Sequence, residues 1–412
     1  MTTSPIPVAP RAVHPPTGPP PFPWIGLIAL SATVFLSISS EMIPTGLLPE
    51  MSKSLGVSPS QVGLLVTVFA FTVVISSAPL TALTVRIPRH TLMVAILAVL
   101  GLSNLLTALA PTYELVVATR VLGGLAHGLF WAMVPAYSAH LVDREHIARA
   151  VSITLAGGTI ALVLGVPLGT VLGQAIGWRW AFAAIAFALF LGVLAVLRWL
   201  PPVERDEATP SDATSRRDPT ILAVGLLCVT VAIVMVGNYA FYTFIAPYLI
   251  DRLGVAPEFL SAVLFAYGAA GALGLVLAGT VFGRRSSAGL VIGLAATAVG
   301  VGVAAVATPV LWVSLGGIVL WGLAFGLVPP LLQTRLLHTA SARIRDTASA
   351  FYTTAFNVGI GGGALIGALL LDWRGLSALP VATIFLVLVG LVVVLVTLRV
   401  SRRRNARHRA GE

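Results

Sequence analysis

Glu41-Met42-Ile43-Pro44-Thr45-Gly46-Leu47 decides how this chain is read. The stretch closes an apolar run that begins at Trp24. Desolvation opposes the charged form of a carboxylate, and hydrocarbon offers no water in exchange. A carboxylate kept there needs a partner or a task. A second charge, Arg120, interrupts another apolar run.

Outward from this stretch the apolar runs continue to the far end of the chain. Of 412 residues, 57% are hydrophobic and 10% charged, against about 25% charged in soluble proteins. Runs of about 20 apolar residues recur and read as bilayer-spanning helices. Forty glycines and 27 prolines suit helices that pack closely and kink in a membrane. Short alternating strands are absent, which argues against a membrane β-barrel. Cys228 is the single cysteine, so neither an intrachain disulfide nor a cysteine metal site is available. It reads as a small packed side chain.

Splitting the runs at charges, prolines and glycines gives twelve spans. They lie near 24–48, 60–84, 91–110, 114–138, 150–173 and 179–200, then 219–248, 258–282, 287–308, 310–336, 346–370 and 376–398. Residues 1–23 hold nine prolines and one arginine. They lack the basic start and cleavage site of a signal peptide and are expected to form a disordered cytoplasmic arm. With the N-terminus inside, 20 of the 25 basic residues fall on inner segments and four, Lys53, Arg179, Arg252 and Arg374, on outer ones. Both termini are therefore expected in the cytoplasm. The net charge of +10 is spread over every inner loop, which excludes a nucleic-acid surface. The basic tail, 399–412, reads as a topology and anionic-lipid signal.

Residues 201–218 are polar and aperiodic, a cytoplasmic linker between a first six-helix bundle (24–200) and a second (219–398). The halves repeat. Leu55-Gly56-Val57-Ser58-Pro59 returns as Leu253-Gly254-Val255-Ala256-Pro257, 198 residues later. Gly124-Leu125-Ala126-His127-Gly128 returns as Gly322-Leu323-Ala324-Phe325-Gly326 at the same offset. Trp178-Arg179 returns as Trp373-Arg374 at 195. An even number of spans per half makes this a parallel repeat, with a pathway expected between the halves. The expected fold is an all-α membrane protein of twelve helices, arranged 6+6.

At this point the residues resemble a known family. Twelve helices as 6+6, an inner linker and both termini inside are similar to the major facilitator superfamily. Three stretches resemble its drug:proton antiporter branch, which contains chloramphenicol-resistance and arabinose or sugar efflux proteins. They are Glu41 through Gly46-Leu47-Leu48-Pro49, then Arg120-x-x-x-Gly124-x-x-x-Gly128, then Gly157-Gly158 through Gly165-Val166-Pro167-Leu168-Gly169. Ala355-Phe356-Asn357-Val358-Gly359 also resembles that branch. The loop from Ala78 to His90 departs from it, lacking the aspartate and the glycines. The resemblance implies that the first and fourth helices face a central cavity, and that Gly124, Gly128, Gly165, Pro167 and Gly169 serve conformational change.

Depth brings Glu41 and Arg120 together. Each lies six or seven residues from the outer end of its span, about 9–10 Å at 1.5 Å per residue. Charges at matching depth are expected to pair. Glu41 is expected to take a proton from outside and release it inside, with substrate competing for it. His127 lies two turns after Arg120 on the same face and is a candidate relay. At the 198 offset Glu41 maps to Tyr239 and Arg120 to Ile318, so the second half lacks the charged pair. Asn238, Tyr239, Tyr242 and Thr243, with Asn357 and Trp131, are candidate substrate contacts. The fifth-span glycines and Pro167 suit a helix sliding against its partner across the two halves. The run Gly359-Ile360-Gly361-Gly362-Gly363 lacks the Lys-Ser/Thr ending of a phosphate loop. No cofactor, metal or enzyme constellation is expected.

The sequence points to a monomeric, proton-coupled exporter of a small organic compound in the inner (plasma) membrane, driven by a gradient and working by alternating access. A drug-like compound such as a phenicol leads, with sugar or nucleoside and purine transport as the alternative. A non-transporting membrane sensor is the reading of a different class, and it would call for an added cytoplasmic domain.

Overall fold

The structure, a computed structural model, describes residues 22–201 and 218–410. Residues 1–21 of the expected arm, 202–217 of the linker and the last two of the tail lie outside them. Among the described residues twelve helices are long and apolar enough to cross a membrane. In the first half they are α1 (Trp24–Gly46), α2 (Pro59–Leu83), α3 (Arg89–Leu109), α4 (Tyr113–His140), α5 (Arg149–Ile176) and α6 (Trp178–Trp199). In the second they are α7 (Ile221–Tyr242), α8 (Pro257–Thr280), α9 (Ser286–Val306), α10 (Leu311–Thr339), α11 (Thr347–Arg374) and α12 (Ala378–Arg399). No strand occurs among the described residues.

Local chemistry sets the ends. Ser58 and Gln61 exchange side-chain and backbone hydrogen bonds at 3.2 and 2.9 Å, a capping box with Pro59 in the first turn of α2. The seventh helix stops at Tyr242, earlier than the expected 248. Pro247 supplies no N–H to the Thr243 carbonyl, and the chain passes instead into a π-type turn at Tyr248–Arg252. In α5, Pro167 likewise leaves the Val163 carbonyl without an α-helical donor, and residues Ala161–Gly165 widen into a π turn.

The halves are equivalent helix by helix. In the first, α1 packs on α5 and α6, α2 on α4, and α3 on α4 and α6. In the second, α7 packs on α11 and α12, α8 on α10, and α9 on α10 and α12. Between halves α2 meets α11 and α5 meets α8, which the same pairing exchanges. Four glycines with positive φ end segments at paired places: Gly56 and Gly254 (66° and 67°), Gly177 and Gly375 (98° and 76°). Both pairs keep the 198 offset. The Trp-Arg match at 195 is not an equivalence, because Trp178-Arg179 follows its turn glycine and Trp373-Arg374 precedes its own.

Small residues let particular helices approach. A Cβ on Gly124 would lie 2.8 Å from the Phe69 carbonyl oxygen, and one on Gly326 2.1 Å from that of Gly271. Gly165 and Gly169 face Ser39 and Ile43 of α1. They therefore pack inside the first half, on α1, and not at the interface with the second. The contact of α5 with the second half is made by Leu162 and Val163 backbone against Gly268 of α8.

The start of α1 and the end of α12 lie on one face, called the terminal face; the opposite one is the far face. The halves are joined at mid-depth by Thr67, whose hydroxyl donates to the Gly361 carbonyl at 3.1 Å. At the far face Ser60 donates to Asp372, and Gln174 to the Pro257 carbonyl at 2.8 Å. The buried Phe244 ring fills the space beside Gly63 of α2 and Gly367 of α11, where a Cβ would come within 2.3 and 2.7 Å of it. Toward the terminal face the hydroxyls of Ser77, Thr81, Thr353 and Thr354 bond within their own helices, and none crosses between α2 and α11 among the described residues. Ala78, Pro79 and Thr81 are exposed, as are Phe351, Thr353 and Thr354. On that face Asp218 accepts the Thr220 N–H at 2.8 Å and the Thr220 and Ser341 hydroxyls. The Ser341 bond first, then the Thr220 bonds, hold its carboxyl below the usual range.

Candidate functional site

The site begins with a missing donor. A carbonyl at position i in an α-helix takes the N–H of i+4, and Pro44 has none. The Ser40 carbonyl is thus left open in the middle of the protein. Arg120 of α4 fills it, donating one nitrogen to the Ser40 carbonyl at 2.8 Å and another to that of Glu41 at 2.9 Å. Its guanidinium lies 4.1 Å above the Phe69 ring. Arg120 is 1% exposed.

The expected side-chain ion pair between Glu41 and Arg120 is not formed. Arg120 holds the main chain that carries Glu41, and the carboxylate turns to His127. Glu41 Oε2 lies 3.4 Å from His127 Nε2. His127 Nδ1 lies 2.8 Å from the Ser37 hydroxyl, one turn before Glu41 on α1. The result is a buried Ser37–His127–Glu41 chain. The other carboxylate oxygen, Oε1, has no hydrogen-bond partner. Beside it, Ser40 donates its hydroxyl to Asn104 of α3 at 2.9 Å.

This chain opens on a cavity between the halves. Its larger lobe, about 390 Å³, is lined by Glu41, His127 and Trp131 from the first half and by Tyr239, Gln333 and Asn357 from the second. A smaller lobe, about 190 Å³, is lined by Asn238, Tyr239, Tyr242, Tyr267, Phe325 and Phe356. The lobes share Tyr239, Phe356, Thr159 and Leu162, and so adjoin. The larger lobe is within the range, roughly 300–1,000 Å³, that accepts drug-sized ligands. No Lys or Arg lines either lobe among the described residues.

The candidate residues divide accordingly. Glu41, His127, Trp131, Asn238, Tyr239, Tyr242 and Asn357 reach the cavity. Thr243 does not: it is fully buried and spends its hydroxyl on the Tyr239 carbonyl at 2.7 Å. Asn357 uses its amide on its own helix, donating to the Thr353 carbonyl at 3.0 Å. Asn238 accepts a hydrogen bond from the Trp321 indole at 2.9 Å. Ser40 and Asn238 are 198 apart, so α1 is tied to α4 by an arginine where α7 is tied to α10 by a tryptophan.

Ser37, Phe69 and Tyr267 belong to the site and were not singled out from the sequence. Each was within reach of it. Ser37 precedes Glu41 by one helical turn, and Phe69 and Tyr267 are themselves 198 apart.

The family model described as the Major Facilitator Superfamily matches residues 30–229 and 227–412. The chain belongs to the major facilitator superfamily. It is accordingly a multi-pass membrane transporter of a small molecule and not an enzyme. Among solved members of similar fold is a bacterial homologue of the human lysosomal transporter Spinster, in an inward-facing and occupied conformation. It matches with a TM-score of 0.75 and 18% identity over 93% of this chain and 98% of that one. The same homologue, inward-facing and unoccupied, gives 0.71 and 17%, with the same coverage. The human organic anion transporter MFSD10 (TETRAN) gives 0.67 and 16% over 92% of this chain and all of that one. At these identities the likeness is one of fold.

Proposed function

We propose that this chain is a proton-coupled exporter of a small organic compound, working by alternating access in the inner membrane. The observation that carries the reading is Glu41, a carboxylate with an unpartnered oxygen set in the cavity between the two halves. In the proposed cycle the far face is the outside and the terminal face the cytoplasm, in keeping with the basic inner loops. The terminal side of the interface, where no hydrogen bond joins α2 to α11 among the described residues, is then the side that opens to the cytoplasm.

Glu41 binds a proton when the cavity opens outward. Substrate entering from the cytoplasm displaces it, and the emptied carboxylate allows the closure that delivers substrate outside. His127 takes the proton from Glu41 and passes it toward the cytoplasmic mouth, with Ser37 holding the ring. Arg120 acts as a positioning residue, fixing the turn from which Glu41 projects. A polar wall of Gln333, Thr353 and Asn357 in the larger lobe supports a second reading, a sugar or nucleoside exporter.

Uptake of a compound panel into everted vesicles, with and without an uncoupler, tests the proposal. An uncoupler-sensitive uptake of at least one organic compound is expected. Uptake that is unchanged by the uncoupler across the panel would remove the coupling claim. If no compound moves under any condition, a sensor on the same scaffold becomes the better reading.

A further inference from the structure

A second pocket lies apart from the cavity, at the far face of the first half. About 560 Å³ in volume, it is lined by Glu50, Lys53 and Ser54 of the short helix Leu48–Leu55 and by Gly177, Trp178 and Arg179 at the turn from α5 to α6. The short helix is two-sided. Leu48 and Met51 are buried, whereas Glu50 is half-buried and Lys53 exposed. It continues past the end of α1, level with Trp178 and Trp180 at the start of α6. Tryptophans at the ends of spans mark the boundary between hydrocarbon and water.

The polar groups of this pocket are left unmet. Glu50 and Lys53 are one helical turn apart, close enough to pair, but no ion pair joins them among the described residues. Glu50 Oε2 and the Trp178 indole nitrogen are buried without a hydrogen-bond partner. Burial pushes the Glu50 carboxyl up. Arg179 is anchored beside them, donating to the Ser54 hydroxyl at 2.9 Å and the Ala110 carbonyl at 3.0 Å, with its guanidinium 4.3 Å from the Trp178 ring. The fold itself does not require this chemistry. At the 198 offset Glu50, Lys53, Trp178 and Arg179 become Tyr248, Asp251, Leu376 and Ser377. Beyond the pocket the surface turns apolar. A groove of about 180 Å³ between α1, α5 and α6 is lined by Leu36, Ile43, Leu168, Leu172, Ala181 and Ala184. Leu172 is next to Gly173 of the pocket and Ala181 one turn from Trp178, so pocket and groove follow one another along α5 and α6. Leu168 and Ala184 are exposed, which opens the groove to the surroundings of the bundle.

We infer that pocket and groove bind one phospholipid with a primary-ammonium headgroup of the ethanolamine type, its ammonium at Glu50, its phosphate at Lys53 and Arg179, and an acyl chain in the α1–α5–α6 groove. The inference requires only that the chain spans a membrane and is independent of what the cavity transports. Three features select the ligand. Charges of both signs held apart in one pocket fit a zwitterion, which bridges them without a net change of charge. An ammonium carries N–H groups and gives the buried Glu50 oxygen the donor it lacks. A lipid also presents its parts in the order that the surface does, a charged head at the boundary and an apolar chain beneath it.

Native mass spectrometry of the purified full-length protein, titrated with single lipids, tests this. Dioleoyl phosphatidylethanolamine and dioleoyl phosphatidylcholine share chains and phosphate, and only the first has N–H groups on its nitrogen. The ethanolamine lipid is expected to bind about tenfold more tightly, the scale of one hydrogen bond to a charged group. Glu50→Gln should shrink that preference. Lys53→Ala, at an exposed position, should weaken both lipids alike. Ala184→Phe, which fills the groove from its exposed edge, should weaken both and keep the preference. Glycerophosphoethanolamine, the same headgroup without chains, should bind about a hundredfold more weakly or less, for want of the buried chain. Equal binding of the two lipids to the wild type overturns the inference. So does a preference that survives undiminished in monodisperse Glu50→Gln protein. Glycerophosphoethanolamine binding as tightly as the lipid would make this a site for a soluble zwitterion, and overturns it too.

Discussion

Arg120 donates at 2.8 Å to the Ser40 carbonyl, the one that Pro44 leaves without a helical donor. A charge expected to neutralise a carboxylate instead completes a helix. This separates two tasks inside the site: Arg120 shapes the turn, and Glu41 is left with a free oxygen.

The first prediction follows from that bond. Arg120→Ala strands a buried carbonyl and should cost about 1–3 kcal/mol of stability. Pro44→Ala returns an N–H to position 44, so the same arginine deletion should cost about 1 kcal/mol less in that background. Thermal unfolding of the four proteins of the cycle in detergent measures the difference. Additive effects would show that Arg120 does not act through the Ser40 carbonyl.

A second concerns helix approach. Gly326→Ala puts a methyl 2.1 Å from the Gly271 carbonyl oxygen, a clash that no rotamer relieves. It should cost about 1–3 kcal/mol or prevent folding. Gly225→Ala, in α7, meets nothing within 4 Å. It should be neutral or stabilising by up to about 1 kcal/mol. Gly326→Ala, where it can be purified, should melt below the wild type, and Gly225→Ala at or above it.

A third concerns the far face. Ser60 and Asp372 bond across the two halves. Ser60→Cys with Asp372→Cys, oxidised in vesicles, should stop turnover, and a reductant should restore it. Turnover that continues with the cross-link complete would mean that this face need not open.

The fourth uses Asp218, outside the spans. Its carboxyl is held low by Ser341 and Thr220. A lowered folded value gives stability that is full above the unfolded value and lost as pH falls through the folded one. Wild type should therefore melt above Asp218→Asn at neutral pH. The gap should close as the pH drops below about 4, the ordinary aspartate range. A gap independent of pH from 7 to 3 would assign the effect to shape and not to charge.

The spans were legible because twenty apolar residues in a row have few alternatives to a membrane helix. The repeat was legible because Gly56 and Gly254 sit in identical Leu-Gly-Val contexts, and their positive φ explains why glycine is needed at both. The partner of Arg120 was misread because matching depth says where a charge lies but not which way it points. Pro44, four residues after Ser40, carried the missing signal: a proline inside a helix advertises a free carbonyl. The packing partner of the α5 glycines is hidden for a related reason. Sequence shows that Gly165 and Gly169 permit close approach, whereas only packing shows that α1 is what approaches. The seventh span is shorter than its apolar run because Pro247 ends α-helix hydrogen bonding a turn before itself.

The proton claim rests on Glu41, and one comparison bears on it most directly. In everted vesicles, any compound found to be transported is followed two ways, as uptake driven by an imposed proton gradient and as gradient-free exchange against preloaded compound. Wild type should do both. Glu41→Gln should keep exchange and lose gradient-driven accumulation. Accumulation at the wild-type level in Glu41→Gln would contradict the account.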